Sequence, residues 1–214
     1  MTKSREQSTK MINRPELLFL FTLFIAISYQ FIPALFPESS VQFLGTIWNA
    51  TFSFLAGFVF LRNSFLEQFK HFKFTVLLYG IPLVLAVGVV FGVIFNTFIG
   101  QTTTNSISEV LTKQMIFTQI PIMLLGEELL STNLILALEA KGVSFKWASL
   151  ICGVLFALWH IPAYGFHIVQ LLITLMPVRL ALNYVWKNSS SVWVSWICHF
   201  LYDGLSFIGM LFGK

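Results

Sequence analysis

Two adjacent carboxylates, Glu127 and Glu128, stand inside the apolar run Pro121-Ile-Met-Leu-Leu-Gly-Glu-Glu-Leu-Leu. A charged side chain at bilayer depth costs about 3 kcal/mol even on lenient insertion scales, so it marks a functional site by default. Later apolar runs carry His160, His199 and Asp203. Successive helix residues point about 100° apart, so Glu127 and Glu128 cannot share a direction. One can face a cavity while the other holds a neighbouring helix or orients a catalytic partner. His199 and Asp203 are spaced i, i+4 and lie on one helix face. Phe156 and His160 share that spacing, which stacks the ring beneath the imidazole. A carboxylate in apolar surroundings is a credible general base near neutral pH. A neutral histidine or polar side chain beside it can stabilise an oxyanion. Glu127, Glu128, His160, His199 and Asp203 are therefore the candidate catalytic set.

Other polar residues have plainer readings. A lone intramembrane histidine is as often a helix–helix hydrogen bond as a ligand, but five ionisable groups in three spans favour a site. His167 falls at a membrane boundary and reads as interfacial; His71, in a charged loop, reads as solvated. Arg179 can pair with a buried carboxylate, bind a lipid headgroup or snorkel, and Asn183 shares its face one turn later. No Ser or Cys stands out as a nucleophile, although Ser131 and Ser206 are placed for consideration. Gly80, Gly88 and Gly92 read as close helix-packing positions.

The elements that must position these groups follow from composition. The chain has 214 residues, 57% hydrophobic and 10% charged, with mean hydropathy +0.81. Soluble domains carry about 25% charged residues, so the expectation is an all-α, polytopic integral membrane protein. The length accommodates about seven helices of roughly 20 residues and no separate soluble domain. Twenty-four Phe and six Trp suit lipid-facing and interfacial surfaces. The +4 net charge is scattered over connecting loops, which argues against nucleic-acid binding. Cys152 and Cys198 lie in apolar runs and read as packing residues. The polar first 15 residues, followed by a long apolar run without a small-residue cleavage site, do not read as a cleavable signal peptide.

Apolar runs predict spans over about 17–36, 43–61, 74–98, 115–138, 147–164, 168–186 and 192–212. Pro162 and Gly165 make either a turn or a kink at the fifth. With a cytoplasmic N-terminus, the inner segments hold Lys3, Arg5, Lys10, Arg14, Arg62, Lys70, Lys73, Lys141, Lys146 and Lys187, while the outer ones hold only Lys113 and Lys214. That positive-inside bias supports an odd number of spans. The chain divides into a cytoplasmic tail (1–16), N-terminal transmembrane helices (17–113) and a catalytic transmembrane core (114–214).

Glu127-Glu128, then Phe156-Ala-Leu-Trp-His160, then His199-Phe-Leu-Tyr-Asp203 resemble, in order and separation, the motifs of the CPBP family of intramembrane proteases, also called the CAAX-protease or Abi family. The run Lys187 to His199 also resembles the family's approach to its last motif, and the resemblance spans about residues 115–210. Where that pattern carries an Arg soon after the paired glutamates, this chain has Thr132, followed by Asn133. The family's Arg is expected to bind one glutamate. Thr132, i, i+4 from Glu128, can offer it a hydrogen bond, and Arg179 can supply the charge from another helix.

The resemblance implies a hydrolase in which Glu127 or Glu128 activates water against an amide carbonyl. His160 positions water or substrate, and His199 with Asp203 stabilises the oxyanion; Phe156, Thr132, Arg179 and Asn183 support the site. The implied substrate is a membrane-embedded peptide, a lipidated protein or a lipoprotein, with phospholipid as a further partner, in a multi-pass, bacterial cell membrane. No cofactor is expected. The alternative is zinc on Glu128, His160 and His199, an acceptable ligand set that lacks a His-Glu-x-x-His helix. Two other functions stay open: acyl transfer in lipoprotein N-terminal acylation, and a non-catalytic bacteriocin self-immunity or scaffold role.

Overall fold

The computed structural model describes residues 14–106, 108 and 111–212. Most of the expected N-terminal tail and the Ser206 side chain lie outside the described residues. The helices are α1 (Pro15–Tyr29), α2 (Ile32–Leu35), α3 (Glu38–Leu61), α4 (Asn63–Lys70), α5 (Phe74–Phe98), α6 (Lys113–Thr118), α7 (Ile120–Ala140), α8 (Phe145–Trp159), α9 (Ile161–Tyr164), α10 (Ile168–Ser189) and α11 (Val192–Phe212). By length and composition α3, α5, α7 and α10 are apolar enough to cross a membrane, and α1 and α8 are shorter apolar helices. Bulky side chains on the outside are apolar: Phe24 is 66%, Phe98 80% and Phe166 85% exposed. Lipid, not water, suits that surface.

Three apolar runs expected to be continuous are broken, at Gln30–Phe31, Gln119 and His160. The cause is the same each time. Proline has no N–H to donate and its ring clashes with the carbonyl four residues back. Pro33, Pro121 and Pro162 each sit in the first turn of the helix that resumes after the break, where the missing N–H costs nothing. Side chains from elsewhere in the chain bond carbonyls near two of the breaks: Gln30 Nε2 donates to Trp159 O at 3.3 Å, and Trp196 Nε1 to Pro121 O at 2.8 Å. Pro82 and Pro177, by contrast, lie inside unbroken α5 and α10.

Helix α7 is the centre of the bundle, with every residue from Glu128 to Ala137 buried. It packs against α1 and α3 on one side and α8 and α11 on the other, while α5 lies outside, against α10 and α11. The α3–α7 seam is built mainly from small and polar residues: the buried side of α3 is Thr46, Asn49, Ser53, Ala56 and Gly57, with Leu61 at its end. A Cβ on Gly126 would lie 2.6 Å from the Ala50 backbone nitrogen, so only glycine permits that approach. Asn133 Nδ2 donates to Ser53 O at 2.9 Å, closing the seam. On α5, Gly80 and Gly88 do admit neighbours (Cys198 with Val185, and the Tyr202 ring), whereas Gly92 has nothing within 4 Å and makes no such contact. Cys152 and Cys198 are free and buried.

The basic segments gather at one end. Lys141 pairs with Glu16 at 2.7 Å, Lys187 pairs with Glu139, and Lys73 Nζ donates to Asn188 O at 2.8 Å. At the other end, the stretch after α5 crosses the bundle. Gln170 clamps Thr103 through both backbone groups at 2.9 Å, and Ser106 N donates to Ala163 O at 2.9 Å.

Candidate active site

Glu127 and Glu128 leave α7 in different directions and have different fates. Glu128 is fully buried, and Arg179 of α10 grips it with two hydrogen bonds, Nη1 to Oε1 at 2.6 Å and Nη2 to Oε2 at 3.1 Å. Fork-to-fork pairing of this kind is the strongest geometry open to a carboxylate. Arg179 is held in turn: its Nε donates to Asn183 Oδ1 at 2.9 Å, and Asn183 Nδ2 donates to Ser149 Oγ at 2.9 Å. The guanidinium also lies 5.4 Å from the centroid of the Phe156 ring, within cation–π range. Glu127 instead lines a cavity of about 320 Å³ together with His160, His199, Asp203, Phe156 and Tyr164.

The two histidines have their tautomers set by their partners. His199 Nδ1 lies 2.9 Å from Glu128 Oε1, and an Arg-paired carboxylate can only accept, so Nδ1 carries the proton. His199 Nε2 is then the atom on the Glu127 and Asp203 side, 3.9 Å from Glu127 Oε2 and 4.0 Å from Asp203 Oδ2. His160 Nδ1 lies 2.8 Å from Phe156 O, which also can only accept, leaving Nε2 as the acceptor of the neutral ring. The ring centroids of Phe156 and His160 are 4.5 Å apart, as the i, i+4 spacing led one to expect. The arrangement is a chain, Ser149–Asn183–Arg179–Glu128–His199, that ends at the cavity. It can orient an imidazole, hold a proton on it, and face it toward a second carboxylate.

The five residues singled out by type and spacing thus meet, with Glu128 as a support and four groups on the cavity. Thr132 does not reach Glu128; its hydroxyl donates to Leu129 O at 3.1 Å, because both carboxylate oxygens already have partners. Asn183 supports Arg179 rather than lining the cavity. Ser131 is buried, and it does not line this cavity. For zinc, both oxygens of Glu128 are occupied by Arg179, and among the described residues no three His, Cys, Asp or Glu side chains form a group that could hold a metal ion. Sequence reasoning passed over Tyr164, Tyr202 and the loop residues Thr103, Thr104 and Asn105, which also line the cavity. Tyr164 had a signal, lying i+4 from His160; the loop had only its polar composition.

No curated protein and no solved structure matches the chain. Residues 109–205, which hold every candidate site residue, match the family model described as type II CAAX prenyl endopeptidase Rce1-like. That segment, somewhat under half of the chain, is similar to the CAAX-protease (CPBP) family.

Proposed function

We propose that the protein is a glutamate-dependent intramembrane peptidase that hydrolyses an amide bond of a membrane-embedded peptide or lipidated protein. The observation that carries the reading is the separation of the two glutamates: Glu128 is held by Arg179, and Glu127 is left on the cavity with His160, His199 and Asp203. Glu127 takes a proton from a water molecule, and the resulting hydroxide attacks the amide carbon. His160, with Nε2 as acceptor, orients that water. Charge moves onto the carbonyl oxygen, where His199 in its doubly protonated form and Asp203 in its protonated form donate hydrogen bonds. Collapse of the tetrahedral intermediate breaks the C–N bond, and the proton held by Glu127 passes to the leaving amine. No metal enters this sequence of steps.

The family likeness and the apolar helices support a multi-pass membrane protein. We take the crossings to be seven, formed by α1 with α2, α3, α5, α6 with α7, α8 with α9, α10 and α11, with the basic end cytoplasmic and the membrane that of a bacterial cell. Mass spectrometry of membrane-protein and lipoprotein N-termini tests the function in cells with the wild-type protein, Glu127→Gln, or none. The expected result is one or more polypeptides shortened only when Glu127 is present. A lipoprotein that changes by an acyl mass at constant polypeptide length would replace hydrolysis with acyl transfer. No change in either class would leave a scaffold or immunity role.

A further inference from the structure

The Glu127 cavity adjoins a second space at Met123, which lines both. This is a groove of about 950 Å³ between the α1–α2 break, the start of α3 and the α6–α7 break. The α7 face that runs from this groove into the Glu127 cavity has a simple geometry. Gln119, Met123 and Glu127 are spaced i, i+4, i+8, so they follow one helix face over about 12 Å. An extended polypeptide advances about 3.3 Å per residue, so the track matches three to four residues of extended chain.

Three primary amides stand on the groove walls: Gln30, Gln42 and Gln119. Each makes only part of its bonding capacity within the protein. Gln30 Nε2 donates to Trp159 O at 3.3 Å. Gln42 Nε2 donates to Gln119 Oε1 at 3.3 Å, and the Thr46 hydroxyl reaches the same oxygen at 3.4 Å. Left without a partner among the described residues are the amide oxygens of Gln30 and Gln42, which accept, and the Gln119 NH2, which donates. Gln42 is exposed and Gln30 and Gln119 are half-buried, so water in the open groove can serve these groups until a ligand with matching donors and acceptors replaces it. An extended backbone presents N–H and C=O groups in alternation, which satisfies acceptors and donor together; a lipid tail satisfies neither. Two of the three amides occupy the proline-made breaks, where the chain opens the helix wall.

We propose that this groove binds the polypeptide backbone flanking the bond presented to Glu127, through Gln30, Gln42 and Gln119 and with little regard to side-chain sequence. The proposal rests on the peptidase reading for the bond that is presented, but not for the binding itself. The probe is a capped octapeptide of alternating Ala and Leu carrying one benzophenone side chain, added to the full-length protein in detergent micelles. Its twin has every backbone nitrogen methylated. Benzophenone inserts readily at methionine, and Met115 and Met123 line the groove. Irradiation and peptide mapping are expected to place the label on that stretch. Labelling falls about tenfold in Gln42→Leu/Gln119→Leu, is unchanged in Glu127→Gln, and is lost with the methylated twin. Gly45→Phe, which fills the groove beside Tyr29, abolishes it in a second, independent way.

Equal labelling by the twin would overturn the proposal in favour of a lipid-binding groove, and so would a label elsewhere or none. Cleavage of the same peptide separates the two ideas. Groove labelling without Glu127-dependent cleavage removes the peptidase reading and keeps the groove. Glu127-dependent cleavage that is indifferent to Gln42→Leu/Gln119→Leu does the reverse.

Discussion

At the scale of single residues, the ion pair between Glu128 and Arg179 is best understood by what its loss would leave. Taking two charges out of water costs several kcal/mol, and a buried pair only recovers this if its geometry is good and its other donors are satisfied. Here both carboxylate oxygens and the Arg179 Nε are used, and Asn183 and Ser149 complete the network. Removing one partner strands the other. Arg179→Gln is therefore expected to destabilise by about 3–5 kcal/mol, read as a lower unfolding temperature in detergent. Glu128→Gln/Arg179→Gln should lose less than the two single changes combined, the sign of a coupled pair. Thr132→Arg, placed one turn from Glu128, should recover part of the Arg179→Gln loss if charge at Glu128 is what matters. A double variant no better than Arg179→Gln would mean that α10 placement is essential. Asp203 offers a separate test. If it acts by donating a hydrogen bond, Asp203→Asn keeps the donor and stays active, while Asp203→Ala loses about 10²–10³-fold in turnover. An inactive Asp203→Asn would instead make the carboxylic acid itself the reactive group.

At the scale of helices, the seam of α3 against α7 holds Glu127 in place. Gly126 precedes it, and a Cβ there would meet the Ala50 nitrogen at 2.6 Å and Asn49 Cβ at 2.8 Å, both close to rigid main chain. Gly126→Val is expected to force the helices apart at a cost of at least about 1–3 kcal/mol, with less folded protein recovered and activity lost. Gly92→Val, where nothing lies within 4 Å, should behave as wild type. Equal tolerance at both positions would show that the seam yields. Helices also explain what could and could not be read from the chain. The apolar runs and the intramembrane ionisable residues were legible because lipid tolerates little else. Which glutamate faces the cavity was not, because α7 is buried almost all round and has no polar stripe to set its phase. The breaks were half legible: Pro33, Pro121 and Pro162 interrupt helices, yet Pro82 and Pro177 look the same in sequence and do not. The loop whose residues Thr103, Thr104 and Asn105 line the cavity has no periodicity to follow, and its clamp, Gln170, reads in sequence as one polar residue in an apolar run.

At the scale of the whole molecule, charge and cavity lie at opposite ends. The ion pairs of Glu16 with Lys141 and Glu139 with Lys187, and the bond from Lys73 to Asn188, collect the basic segments on one side. The Thr103–Ser106 crossing and the turn after His160 form the other. The Glu16–Lys141 pair is exposed and contributes little stability, whereas Glu139–Lys187 is mostly buried; on the positive-inside reading the basic segments set orientation. On the proposed peptidase reading, orientation then decides on which side of the membrane a substrate is cut, because the cavity lies toward the end away from the charges. The prediction is read by cysteine labelling in intact cells, in a background with the buried Cys152 and Cys198 replaced. Gln101→Cys should react with a membrane-impermeant maleimide, and Lys70→Cys, exposed at the basic end, should react only after permeabilisation. The reversed pattern would turn the cavity toward the cytoplasm and with it the face from which substrates are drawn. Labelling of both sites in intact cells would remove α5 as a crossing, and with it the count of seven, since these two positions are separated by α5 alone.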